Sequence, residues 1–206
     1  MYKAKKQLVL ASASPRRREL LKSLGLVFNV MPSELAERGM GEMEARDPAI
    51  GTQECARDKA ETVAERLAGD KEERWYLGVD TVVIVDNKVL GKPADETEAR
   101  EWLFMLSGRW HRVVSGYCLL NPRTRQVCSN AVSTEVRIKE LSEDEIKAYL
   151  ATSEPFDKAG GYAAQGVGAA FIEEIRGSYT NVVGLPLSEV LGDMLRMDII
   201  EPEPHT

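Results

Sequence analysis

The sequence predicts a mixed α/β fold, a twisted sheet with helices packed around it. Three observations predict it. Residues 75–86, WYLGVDTVVIVD, form a long β-branched run that ends at an Asp-Asn turn. Two further runs, HRVVSGYCLL (111–120) and QVCSNAVSTEVRI (126–138), flank the turn NPRTR as the arms of a hairpin. Around them lie stretches whose apolar residues recur at helical spacing behind Ser, Asp or Pro start signals.

In chain order, residues 7–11 read as a short buried strand that feeds a helix beginning near Pro15, capped by Ser14. Leu20, Leu21 and Leu24 give that helix its apolar face, and Gly25 is its stop. LVFNVM (26–31) reads as a second strand, and residues 32–51, rich in Gly, Pro and acid, as a loop. A helix over 52–67 places Cys55, Ala56, Ala60, Val63 and Leu67 on one side. After the long strand, Val89 and Leu90 make a short return. Asp95 and Glu98 form a capping pattern for a helix carrying Ala99, Trp102, Leu103 and Leu106. Ser142 and Glu145 cap another helix. Residues 157–170, DKAGGYAAQGVGAA, are expected to be irregular and to lead into a strand around AAFIEEI. Pro186 opens a last helix, and EPEPHT is a polar tail. The organisation expected is one domain over 1–206, with its core in 6–200 and a tail at 201–206.

At 206 residues, 43% hydrophobic and 29% charged, the chain has the make-up of an ordinary soluble globular protein. Its net charge of −6 gives no general attraction to nucleic acid or anionic membrane, so any anion site must be local. The cysteines, Cys55, Cys118 and Cys128, form no CxxC pair, which argues against a disulfide framework or zinc site and for a reducing compartment. The apolar stretch near the N-terminus, QLVLA, is shorter than the roughly 7–15 residues of a signal-peptide core. No run approaches the roughly 20 residues of a membrane span. A cytoplasmic location is expected.

ASASPRRREL (11–20) sets Arg16, Arg17 and Arg18 in a helix's first turn, where the backbone is already electropositive. Cations there are unfavourable unless an anion joins them. One reading is a solvated basic turn held by the leucines that follow. The other is a phosphate site, with Ser12 and Ser14 hydroxyls, free helix N–H groups and an arginine fork. It is not a Walker loop, because GxxxxGK[ST] is absent.

Asp80 interrupts an apolar strand, and burying a carboxylate costs several kcal/mol unless it is paired or metal-bound. An edge position would explain it; so would a general base or Mg²⁺ ligand with Thr81 beside it. Lys59, Lys92 and Lys158 are each ordinary surface lysines when taken singly. Together with the arginines and Asp80 they suit a polyphosphate–Mg²⁺ site. His111, at a strand start, and His205, in the tail, do not support histidine catalysis.

The segments LVLASASPRRRELLKSLG, GVDTVVIVDNKVLGKP, LSGRWHRVVSGY, DKAGGYAAQG and NVVGLPLSEV, in this order across residues 7 to 197, closely resemble the Maf family. That family is named for septum-formation inhibition, and its enzymatically studied members are nucleoside triphosphate pyrophosphatases. The resemblance implies two lobes around a deep cleft, similar in layout to inosine triphosphate pyrophosphatases. It also implies hydrolysis of a nucleoside triphosphate to the monophosphate and pyrophosphate with a divalent metal, Mg²⁺ first and Mn²⁺ or Co²⁺ as alternatives. By the same resemblance Asp80 is the proton acceptor, and Ser12, Arg16, Arg17, Lys59 and Lys92 handle phosphate. Glu37 and Asp80 hold metal, and Arg16, Thr81 and Gln165 select the base. A homodimer is also implied.

GVDT together with DKAGGYAAQG resembles the branch acting on dTTP, UTP and related pyrimidine triphosphates. The branch preferring 7-methyl-GTP carries Gln after the strand Asp. Two features depart from the family pattern: Ala36-Glu37 stands where an acidic pair is usual, and the loop of residues 38–51 is longer. Alternatives are a pyrophosphatase of other specificity, such as 7-methyl-GTP or inosine triphosphate, and a nucleotide-binding regulator or division inhibitor that needs no turnover. The family's usual role, removal of non-standard or excess nucleotides, stands beside pool control.

Overall fold

A computed structural model of the chain describes residues 1–35, 47–69 and 72–203. The fold is mixed α/β. A seven-stranded sheet runs in the order β3 (Asn29–Val30), β2 (Gln7–Leu10), β4 (Arg74–Val85), β6 (Trp110–Asn121), β7 (Gln126–Ile138) and β8 (Ile172–Arg176), with β5 (Lys88–Leu90) also paired to β4. β2 lies parallel to β3 and β4, whereas β4, β6, β7 and β8 are antiparallel in turn.

The long strands form where the β-branched runs predicted them. Asp86 and Asn87, at φ of 48° and 64°, make the tight turn between β4 and β5, a left-handed pair that Asn and Asp tolerate. Helix α1 (Pro15–Ser23) starts as expected: Ser14 is extended, its hydroxyl accepts from Arg17 N, and Gly25 leaves the helix at φ +82°. Helix α2 (Pro48–Arg66) begins one turn before the predicted start. Asp47 caps it by accepting from Ala49 N, and Pro48 supplies the first helical residue. Helices α3 (Glu96–Leu106) and α4 (Glu143–Leu150) carry the expected caps. Only α4 has the reciprocal box, because Glu98 reaches Ala94 N rather than the cap residue. The Gly/Ala-rich segment makes short 3-10 turns, Glu154–Asp157, Ala159–Gly161 and Val167–Phe171.

Several elements differ from expectation. The second strand shrinks from 26–31 to Asn29–Val30. A short helix, α5 (Tyr179–Val183), precedes α6 (Leu187–Arg196) and was not foreseen. Its Asn181 is buried, and Nδ2 donates to the carbonyls of Val113 and Val132 and to Thr134 Oγ1. Residues 201 and 202, the first of the expected tail, belong to β9 (Ile200–Pro202), which pairs antiparallel with β1 (Tyr2–Ala4).

The two largest groups of buried apolar side chains lie at opposite ends of β4 and β6. Leu77 and Val79 pack with α1 and α6 through Leu21 and Met194. Val83 and Val85 pack with α3 and α4 through Trp102, Leu103 and Ile146. On the other face of β4, Ala56, Ala60 and Val63 of α2 cover Tyr76 and Cys118. Asp80 and Thr81 fall between the two end cores. β2 has ended by then, its last pair being Leu10 with Leu77, and β5 first pairs at Val83. That edge of β4 is therefore open to incoming groups from residues 78 to 82.

Candidate active site

Side chains alternate across a strand, so Asp80 and Thr81 leave β4 on opposite faces. Asp80 follows Tyr76 and Gly78 onto the α2 side. Gly78 makes the encounter possible: a Cβ there would stand 1.8 Å from the carbonyl oxygen of Ala56, so only glycine lets the helix backbone lie so close. Gly116, opposite Asp80 in the β4–β6 pairing, does the same beneath Thr52 and Gln53. With α2 seated on these glycines, Lys59 Nζ donates to Asp80 Oδ1 at 2.5 Å, and both side chains are 16% exposed. The pair answers the question raised by a carboxylate in an apolar strand, since a fixed ammonium offsets much of the cost of burial.

Thr81 faces α1 and α5. Its Oγ1 is 2.8 Å from Ser115 Oγ and accepts from Arg17 Nη2 at 3.1 Å. Arg17 also donates from Nη1 to Ser12 Oγ and the Val79 carbonyl, both at 3.0 Å, and from Nε to the Gly184 carbonyl at 2.8 Å. The middle arginine of the first turn is thus directed into the open edge of β4, where it ties α1, β4 and α5 together. Expected beforehand as a phosphate ligand, it spends these donors on the protein itself.

Ser12 is buried and also accepts from Ser14 N at 3.2 Å. Arg16 points elsewhere, and its Nη1 donates to Asp157 Oδ2 at 3.2 Å. Asp157 also pairs with Lys158. Burial alone would push the Asp157 carboxyl up, but the hydrogen bond and charge of Lys158, joined by Arg16, hold it below the ordinary carboxylate value. Lys92 is exposed at the bend after β5, where the Gly91 carbonyl accepts from Gly160 N and sets it beside the Ala159–Gly161 turn. Gln165 is exposed on the loop beyond. Glu37 lies outside the described residues.

His111 is buried against Tyr162, with Nε2 2.7 Å from the phenolic oxygen. Burial holds its pKa down to about 4, so it is neutral at ordinary pH and structural in character. Sequence reasoning did not single out Ser115, Asp157 or Gly184. Only Asp157 carried a local signal, its place before Lys158 in DKAGGY.

A protein-family model described as Maf-like protein matches residues 7–197. The chain belongs to the Maf family. Among its curated relatives, the dTTP/UTP pyrophosphatase of Thermococcus kodakarensis is 49% identical over 87% of this chain and 91% of its own length. That of Syntrophotalea carbinolica is 46% identical over 94% and 86%. That of Geotalea uraniireducens is 44% identical over 98% and 100%.

As a metal site, the described part of this Maf protein offers oxygen alone. No group of three or more His, Cys, Asp or Glu converges among the described residues. Asp80 meets Lys59 through Oδ1, which leaves its second carboxylate oxygen for a cation. A hard oxygen donor of this kind suits Mg²⁺, which binds through one or two carboxylates and completes its shell with water and substrate phosphate. Among the described residues no helix is long and apolar enough to cross a membrane.

Proposed function

We propose that this Maf protein hydrolyses dTTP and UTP, with related pyrimidine triphosphates, to the monophosphate and pyrophosphate. One observation carries the reading: the Asp80–Lys59 pair sits at the open edge of β4, the edge that Arg17, from the helix start with Ser12, Ser14 and Arg16, reaches at Val79 and Thr81. The names of the curated relatives support the choice of nucleotide.

In this mechanism a water attacks the α-phosphorus, the bond to the bridging oxygen breaks, and pyrophosphate leaves. Asp80 takes the proton of the attacking water, directly or through a second water. Lys59 orients the carboxylate and adds positive charge where the transition state gains negative charge. The start of α1, with the Ser14 and Arg16 side chains, receives phosphate oxygens. Lys92 and Lys158 stand at the opposite loops as further cations. Bound through Asp80, and through Glu37 as the family resemblance implies, Mg²⁺ would neutralise phosphate charge, with Mn²⁺ or Co²⁺ as substitutes. Arg16 and Gln165 contact the nucleoside side. Thr81 acts on selection indirectly, since its hydroxyl is held by Arg17 and Ser115. A cytoplasmic homodimer completes the proposal, and sedimentation tests the dimer.

The test is pyrophosphate release from dTTP, UTP, CTP, GTP, 7-methyl-GTP and ITP with Mg²⁺, for wild type and Asp80→Asn. Turnover of dTTP and UTP that falls at least a hundredfold in the variant supports both the reaction and its base. Binding without turnover of any of the six in wild type overturns it and favours a nucleotide-binding regulator.

A further inference from the structure

Gln165 reaches the base, in the reading above, from an irregular loop with neither helix nor sheet to hold it. The loop is instead gripped by two side chains. Glu154 Oε1 accepts from Tyr149 Oη at 3.1 Å and from Gly168 N at 3.2 Å, and its Oε2 accepts from Val167 N at 3.0 Å. Tyr149 Oη in turn accepts from Ala163 N at 3.1 Å. The backbone is therefore fastened two residues before Gln165 and again two and three residues after it. The Tyr149 ring is buried at the end of α4, edge-on to Phe171 with centroids 4.9 Å apart, so the anchor is itself rigid.

The glycines of the loop fit this grip. Gly166 takes φ +93°, and a Cβ on it would stand 2.7 Å from Glu154 Oε2. A Cβ on Gly168 would stand 2.6 Å from Tyr149 Oη. The chain is wrapped onto the two side chains as closely as backbone allows. An ionised carboxylate suits the place, because it accepts several donors at once and each such bond is strengthened by charge.

We propose that Glu154 and Tyr149 are positioning residues for base selection: they set the segment 163–168 so that Gln165 meets the pyrimidine. This rests on the reading that Gln165 contacts the base. Neither residue touches the Asp80–Lys59 pair, so their loss acts on recognition of the base more than on the chemical step.

The experiment compares kcat and KM for dTTP and GTP in wild type, Glu154→Gln, Tyr149→Phe and Gln165→Ala, each first checked for a cooperative melt. Glu154→Gln keeps the shape but turns an amide NH₂ toward backbone donors; Tyr149→Phe removes one hydroxyl and serves if the first variant does not fold. The expected result is at least a fivefold loss of the dTTP-over-GTP ratio of kcat/KM in the clamp variants. It arises through a higher KM for dTTP, with kcat within threefold of wild type. An unchanged ratio in these variants, with a reduced one in Gln165→Ala, overturns the clamp alone. An unchanged ratio in Gln165→Ala overturns the base-contact reading and the clamp with it. A fall in kcat for both nucleotides at constant ratio assigns the pair a structural role and also overturns the proposal.

Discussion

Asp157 Oδ2 lies 3.2 Å from Nη1 of Arg16, which joins the first turn of α1 to the first residue of DKAGGY. The arginine is 22% exposed at its side chain and the aspartate 61%, so the contact is a weak, solvent-screened ion pair. A triphosphate that binds Arg16 through Nη1 competes with this carboxylate. Asp157→Asn removes the competitor at little structural cost. A surface pair of this kind is worth about 0.2–1 kcal/mol, so KM for dTTP is expected to fall by roughly 1.4- to fivefold with kcat little changed. An unaltered KM in steady-state assays would show that the triphosphate and Asp157 do not compete for Arg16.

His111 supplies a pH dependence of stability. Burial lowers its pKa from 6.5 to about 4, so between those values the unfolded chain binds a proton that the folded one refuses. Stability is therefore complete above about pH 7 and is lost as pH falls toward 4. The shift corresponds to about 2–3 kcal/mol between pH 7 and pH 4.5. Carboxylates such as Glu145, held down to about 2 by Lys139 and Ser142, titrate in the same acid range and are common to both proteins. Urea unfolding of wild type and His111→Gln at the two pH values isolates the histidine: wild type loses about 2–3 kcal/mol more than the variant. Equal losses refute the assignment.

Much of this was legible because it is local. Ser14, Pro15, Asp95 and Ser142 announce helix starts within four residues of themselves, and the β-branched runs of β4, β6 and β7 need no tertiary information. Asp80 stood out as a carboxylate in an apolar strand, and Lys59 was grouped with it in one phosphate–metal pocket, though nothing local showed that the two side chains would pair directly. Their meeting depends on Gly78 and Gly116, whose spacing shows no more than tolerance of a close neighbour. The inward turn of Arg17 was illegible for a like reason. Its acceptor Gly184 is 167 residues away, and nothing in PRRR says which arginine turns inward. Helix α5 is one turn with Thr and Val in it, formed where buried Asn181 satisfies β6 and β7, a tertiary cause with no helical pattern. The pairing of β1 with β9 joins the two ends of the described chain and carries no local signal.

Gly78→Ala tests the seating of α2. The new methyl carbon would stand 1.8 Å from a carbonyl oxygen of Ala56, a backbone atom that moves only if the helix moves. Overpacking usually costs 1–3 kcal/mol, and a backbone clash lies at or beyond the top of that range, so a loss of about 3 kcal/mol or more is expected. Lys59 shifts with the helix, so any folded variant should also lose kcat. A variant with unchanged urea midpoint and activity would show that α2 tolerates a side chain there.

Arg17→Lys distinguishes a positioning arginine from a phosphate ligand. Arg17 donates from Nε, Nη1 and Nη2 to Gly184, Ser12, Val79 and Thr81, a spread of acceptors that a planar fork can reach and a single ammonium cannot. The lysine variant leaves the Gly184 and Val79 carbonyls in competition for one group. Hydrogen bonds to a charged donor contribute about 1.5–3 kcal/mol each, and partial replacement should cost about 2–4 kcal/mol in urea unfolding. Activity should fall with it, because Ser12 and the start of α1 lose their tie to β4. If stability holds while KM for dTTP rises tenfold or more, Arg17 serves the triphosphate directly.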